Sequence, residues 1–136
     1  MKRKIGLFVV AVLVGLQFVP VDRGNPPIRS DFSGPAEVKE ILQRSCYDCH
    51  SNETRWPWYS RVAPVSFLVA GDVKEGREHL NFSDWGAYDG AARAKLGAEV
   101  LEVVEKREMP LPIYVLLHGE AKLTGSELTT LRGWRP

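Results

Sequence analysis

The sequence has little of the chemistry that usually marks a binding site. It holds no cysteine beyond Cys46 and Cys49, no methionine beyond Met1 and Met109, and three histidines, His50, His79 and His118. Any soft-ligand or imidazole metal site must be drawn from that short set, and there is no second cysteine pair to complete a four-cysteine zinc site. An excess of one charge is also missing: 18 Lys and Arg stand against 17 Asp and Glu. Losing Lys2, Arg3 and Lys4 with a leader would turn the balance slightly acidic, which argues against nucleic acid as a partner. No stretch alternates apolar and polar residues as a half-buried strand would, and there are no internal repeats or low-complexity tracts. With 136 residues in all, the chain has room for one ordinary domain.

Long apolar runs are absent except at the N-terminus. There Lys2-Arg3-Lys4 precedes Ile5 to Val19, interrupted by Gly6, Gly15 and Gln17 and stopped by Pro20. A basic cluster before an apolar run is the pattern of an export signal. The residues after the run lack the small-x-small pair that signal peptidase prefers, so the pattern favours an uncleaved anchor over a removed peptide. Such a helix is short for the ~30 Å hydrocarbon core and would need bilayer thinning or flanking residues to span it. The expected organisation is therefore an inner-membrane signal anchor over 1–20, a tether or surface-hugging lead-in over 21–34, and a domain over 35–136 on the periplasmic side. If the signal were cut, the domain would be released into the periplasm.

Within the domain the apolar spacing is helical. A first helix is expected from Pro35 to about Tyr47, with Ser33 or Gly34 near its cap and Val38, Ile41 and Leu42 on one face. A second, from Val65 to Leu80, places Val65, Leu68, Val69 and Val73 inward, although Gly71 and Gly76 weaken it. The third, about Gly90 to Arg107, carries Leu96, Val100, Val103 and Val104 inward and ends before Met109-Pro110. A short helix or turn is expected around Ile113 to Leu117. The last helix opens on a capping box formed by Thr124 and Glu127, followed by Leu128, Leu131 and Trp134 on one side. The fold class read from these signals is all-α.

The chemistry sits at the end of the first predicted helix, in Cys46-Tyr47-Asp48-Cys49-His50. Haem carries two vinyl groups, and thioether attachment needs two thiols presented along one edge. Cysteines at i and i+3 supply them, and the next residue projects an imidazole toward the iron. The pattern predicts one covalent haem c held by Cys46 and Cys49, with His50 as proximal ligand. Three other readings use the same residues: a thioredoxin-like pair, which wants a βαβ context; a zinc site, which lacks a ready fourth ligand; and a plain disulfide.

Met109, followed by Pro110, is the expected distal iron ligand, with His79 and His118 as alternatives. Trp56, Trp58 and Tyr59 would wall the haem edge or bond its propionates, with Arg55 or Arg61 offsetting propionate charge; the other reading is an aromatic mini-core beside Pro57. Tyr114, Trp85 and Trp134 read as plain core.

The run from Cys46 to Ser60, with Ala63-Pro64-Val65, Gly76-Arg77, Leu80-Asn81-Phe82-Ser83, Met109-Pro110, Tyr114, His118 and Trp134, resembles the bacterial haem-binding domain family. The likeness covers nearly the whole chain, including Asn25-Pro26-Pro27. It implies a small single-haem domain behind an N-terminal anchor, with covalent haem at Cys46, Cys49 and His50 and Met109 as distal ligand. The expected architecture is similar to a class I cytochrome c. The last helix would cross the helix that ends in the haem motif, and the Met109 loop would close over the haem. The expected function is that of an electron carrier, not a catalyst, serving membrane or periplasmic redox proteins. The alternative is a haem peroxidase or gas sensor with an open or labile sixth iron site. A third reading is a module whose haem only staples the fold.

Overall fold

A computed structural model describes residues 1–136 and contains helices only, apart from one isolated parallel bridge between Ser30 and Asp84. In chain order the α-helices are α1 (Lys2–Leu16), α2 (Ala36–Ser45), α3 (Tyr47–His50), α4 (Val65–His79), α5 (Gly90–Glu105), α6 (Pro112–Leu117) and α7 (Gly125–Gly133). Short 3-10 turns lie at Trp58–Arg61, Trp85–Ala87 and Gly119–Ala121. The all-α expectation holds.

The N-terminal expectation does not. Helix α1 has 15 residues, and no helix is long and apolar enough to cross a membrane. At about 1.5 Å per residue such a helix falls well short of the ~30 Å hydrocarbon core. Beyond it the backbone continues in i→i−3 turns only as far as Val19. Gln17 Nε2 donates to the Ala63 carbonyl at 3.0 Å while Gln17 Oε1 accepts from Ala63 N–H at 3.1 Å, and Pro20 follows. The signal anchor, and the inner-membrane and periplasmic placement that rested on it, are thereby overturned.

Residues 21–34 hug the body. Arg29 and Ser30 both donate backbone N–H groups to the Ser83 carbonyl, Trp85 N–H donates to the Ser30 carbonyl, and Phe32 is buried. Phe32 joins the aromatic centre of the domain, with ring centroids 5.1 Å from Trp85 and 5.5 Å from Trp134. Val38, Ile41 and Leu42 of α2, Val104 of α5 and Leu131 of α7 complete that core, so α7 packs on both α2 and α5.

The first predicted helix breaks in two at Cys46, whose ψ of −33° is helical but whose φ of −128° is not. Cys46 N–H still closes the last turn on the Leu42 carbonyl, and its own carbonyl accepts from Cys49 and His50 to start α3. The N-cap is Pro35, one residue later than expected.

Helix α4 turns a different face inward from the one its apolar residues suggest. Val73 is buried, but Leu68 is 67% exposed and Val65 is exposed too; the inner residues are Ser66, Val73 and Gly76. The reason is backbone contact. A Cβ on Gly76 would lie 2.7 Å from the Cys49 carbonyl oxygen, so only glycine lets α4 and α3 approach this closely.

Helix α5 starts on Asp89, whose side chain accepts from Ala92 N–H at 2.8 Å. It ends at a left-handed residue, Arg107 with φ 60°, after which Glu108 and Met109 both return their N–H groups to the Val103 carbonyl. This cap turns the chain back along α5. Helix α7 begins with the predicted capping box: Thr124 and Glu127 bond each other's backbone N–H.

Candidate functional site

The turn at Arg107 delivers Met109 to a cavity of about 580 Å³ bounded by the Cys46–His50 segment, α4, α5 and the chain from Met109 to Tyr114. That size falls within the usual range for cofactor and small-molecule sites. Cys46, Cys49, His50 and Met109 all line it. Leu96, Val100 and Val103, predicted to be core, are only half-buried because they face this space.

Both cysteines are free thiols. Burial pushes Cys46 up to about 12, helped by the neighbouring Cys49, and pushes Cys49 up to about 11, helped by Asp72 and Asp48. They are therefore neutral S–H groups at ordinary pH, unlike the activated thiolate of a reactive redox pair. No group of three or more His, Cys, Asp or Glu is placed to hold a metal ion by itself.

His50 is held in one tautomer. Its Nδ1 lies 3.1 Å from the Leu80 carbonyl, which can only accept, so Nδ1 carries the proton and Nε2 keeps its lone pair. Burial lowers the His50 pKa, partly opposed by the Leu80 and Gly76 carbonyls, so the ring is neutral. A neutral imidazole oriented by a backbone carbonyl is the usual state of a metal-binding histidine.

Two further features mark the polar part of the lining. Ser45 lines the cavity at 5% exposure, and its Oγ has no hydrogen-bond partner within the chain. The charged lining consists of carboxylates, Asp48, Asp72, Glu75, Glu99 and Glu102, without a lysine or arginine. Glu99 is paired with Lys95, one turn before it on α5, and Glu102 with Lys106, one turn after it at the end of the helix.

The residues expected at the haem edge lie elsewhere. Trp56 Nε1–H donates to Asn25 Oδ1 at 3.3 Å and borders a separate cleft with Asp22 and Arg77. Trp58 is 77% exposed and meets Tyr59 edge-on. Tyr59 bonds His118, and Arg61 is exposed. Arg55 donates from Nε and Nη2 to the two oxygens of Asp48 at 3.1 and 3.2 Å. None of these five lines the cavity. The turn at Trp58–Arg61 packs on α4 instead.

The alternative iron ligands separate clearly. His118 faces Tyr59 OH at 2.7 Å through Nε2 and Glu120 at 3.3 Å through Nδ1, and it is absent from the cavity wall. His79 does border the cavity, at its exposed margin. Tyr114, read as plain core, is instead a wall residue whose hydroxyl donates to Asp48 Oδ2 at 2.6 Å. No role at the site was read from sequence for Asp48, Gly76 or Ser45, although Asp48 lies inside the cysteine motif and Gly76 belongs to the family resemblance.

Two thiols, a neutral imidazole and a thioether around one apolar cavity in an all-helical domain define a haem protein. The chain belongs to the haem-binding domain family, whose model matches residues 11–135. No match was found among curated proteins or among solved structures.

Proposed function

We propose that this chain is a single-haem c-type cytochrome that carries electrons between redox proteins. The observation that carries the reading is that one cavity gathers Cys46, Cys49 and His50 with Met109, which lies far along the sequence. A bound haem supplies a one-electron iron couple. Cys46 and Cys49 would hold it by thioether bonds, each thiol S–H adding across one vinyl group. His50 Nε2, kept free by the Leu80 carbonyl on Nδ1, and the Met109 thioether would be the groups that hold its iron.

The chain's own residues then set the chemistry. If His50 and Met109 both held the iron, no site would be left for a substrate, which favours a carrier over a catalyst. Leu96, Val100 and Val103 exclude water and lower the local dielectric. The uncompensated Asp72 and Glu75 favour the more positive, oxidised state and so lower the reduction potential.

The test is spectroscopy of the purified holoprotein after acid-acetone extraction. Pigment that stays with the polypeptide, together with the weak far-red charge-transfer band of methionine-ligated ferric haem, supports the reading. That band should vanish in Met109→Ala. Haem that washes off sinks the covalent assignment, and ready CO binding by the ferrous wild type sinks the carrier.

A further inference from the structure

Helix α6 follows directly on the Met109 segment, yet it has no buried residue. Its apolar side chains face outward, with Ile113 65%, Leu116 76% and Leu117 60% exposed. Apolar burial therefore does not hold this helix on the domain, and polar contacts must. Tyr114 OH donates to Asp48 Oδ2 at 2.6 Å. One turn on, Tyr59 OH meets His118 Nε2 at 2.7 Å, and the Tyr114 ring stacks on His118 with centroids 4.3 Å apart and planes 14° from parallel.

The acceptor is rigid. Asp48 is buried, its Oδ1 accepts from both the backbone N–H and Nε of Arg55, and its Oδ2 also accepts from Arg55 Nη2. Asp48 lies between the two cysteines of the motif, and Tyr114 lies in α6, five residues beyond Met109. Their hydrogen bond thus joins the cysteine segment to the helix that follows Met109, which has no fully buried side chain of its own. A bond to a buried carboxylate is among the stronger kinds a side chain makes.

We propose that Asp48 and Tyr114 are positioning residues whose hydrogen bond keeps the Met109 segment closed over the haem. This rests on the reading of Met109 as distal ligand. When the bond breaks, α6 has little to hold it, and Met109 leaves the sixth position while His50 and the thioethers stay in place.

Tyr114→Phe removes the hydroxyl and keeps the ring that stacks on His118. CO combination with the ferrous holoprotein, limited by departure of Met109, is expected to quicken roughly ten- to hundred-fold, about 1.4 kcal/mol per decade, with loss of intensity in the ferric far-red band. Asp48→Asn keeps an acceptor without its charge and is expected to give a smaller change in the same direction. Leu42→Ala, at a core residue that does not line the cavity, should leave the CO rate unchanged. The proposal is overturned if both site variants keep wild-type CO kinetics and band intensity, or if Leu42→Ala accelerates CO binding as much. A wild type that lacks the far-red band would instead sink the Met109 assignment itself, so the two failures are told apart.

Discussion

Arg44 Nη1 lies 2.6 Å from Glu127 Oε1, which ties the helix ending in the cysteine motif to the last helix of the chain. The other oxygen of Glu127 accepts from the Thr124 backbone N–H, so one carboxylate closes a capping box and an interhelical ion pair together. Arg44 is the main reason the Glu127 carboxyl sits at about 2, with the Thr124 bonds adding to it.

The sign of the pH dependence follows. A carboxyl depressed in the folded state adds stability that is complete above its ordinary 4.5 and is lost as pH falls toward about 2. Because the Arg44 side chain is 37% exposed, solvent screening limits the pair to on the order of 1 kcal/mol. Glu127→Gln, which keeps the cap, should lower stability by about that amount at neutral pH and by little near pH ~2. Urea denaturation at the two pH values checks it.

Gly76→Ala should disturb the site more than any exposed substitution on α4. The added methyl would meet backbone at the Cys49 carbonyl, which cannot swing aside as a flexible side chain would. Pushing α4 away would cost about 1–3 kcal/mol and spread the cavity wall. A normal yield of haem-loaded protein with an unchanged thermal midpoint would show that the contact is not limiting.

Arg107 holds a left-handed conformation at φ 60°. A side chain there costs roughly 1–2 kcal/mol, and part of the relief from Arg107→Gly is offset by the greater freedom of glycine in the unfolded chain. A net gain of about 0.5–1 kcal/mol is expected by chemical denaturation. A loss would mean that the arginine side chain itself stabilises the turn before Met109.

His118→Ala should loosen α6 only in part and change the spectra of the iron far less than loss of an axial ligand would, because both ring nitrogens are engaged outside the cavity. A spectral change of the size seen on replacing an axial ligand would show that His118 reaches the iron.

Leu42 is fully buried between α2 and the aromatic core. Leu42→Ala should cost about 2–5 kcal/mol, the span set by how far the surroundings relax. Thermal unfolding of the holoprotein measures it.

Local patterns by themselves determined the helices, the capping box at Thr124 and Glu127, and the Cys46, Cys49, His50 motif, because each is written in residues a few positions apart. The length of the apolar run at the N-terminus was also visible, but the pairing of Gln17 with Ala63 within it was not. Only the tertiary structure decided that Met109 shares a cavity with His50 and that His118 does not. It also turned Trp56, Trp58, Tyr59 and Arg61 away from that cavity and placed Tyr114 against Asp48. Those relationships join residues distant in sequence, and they are set by how helices pack. At Gly76 that packing is backbone against backbone, a contact that apolar periodicity does not record.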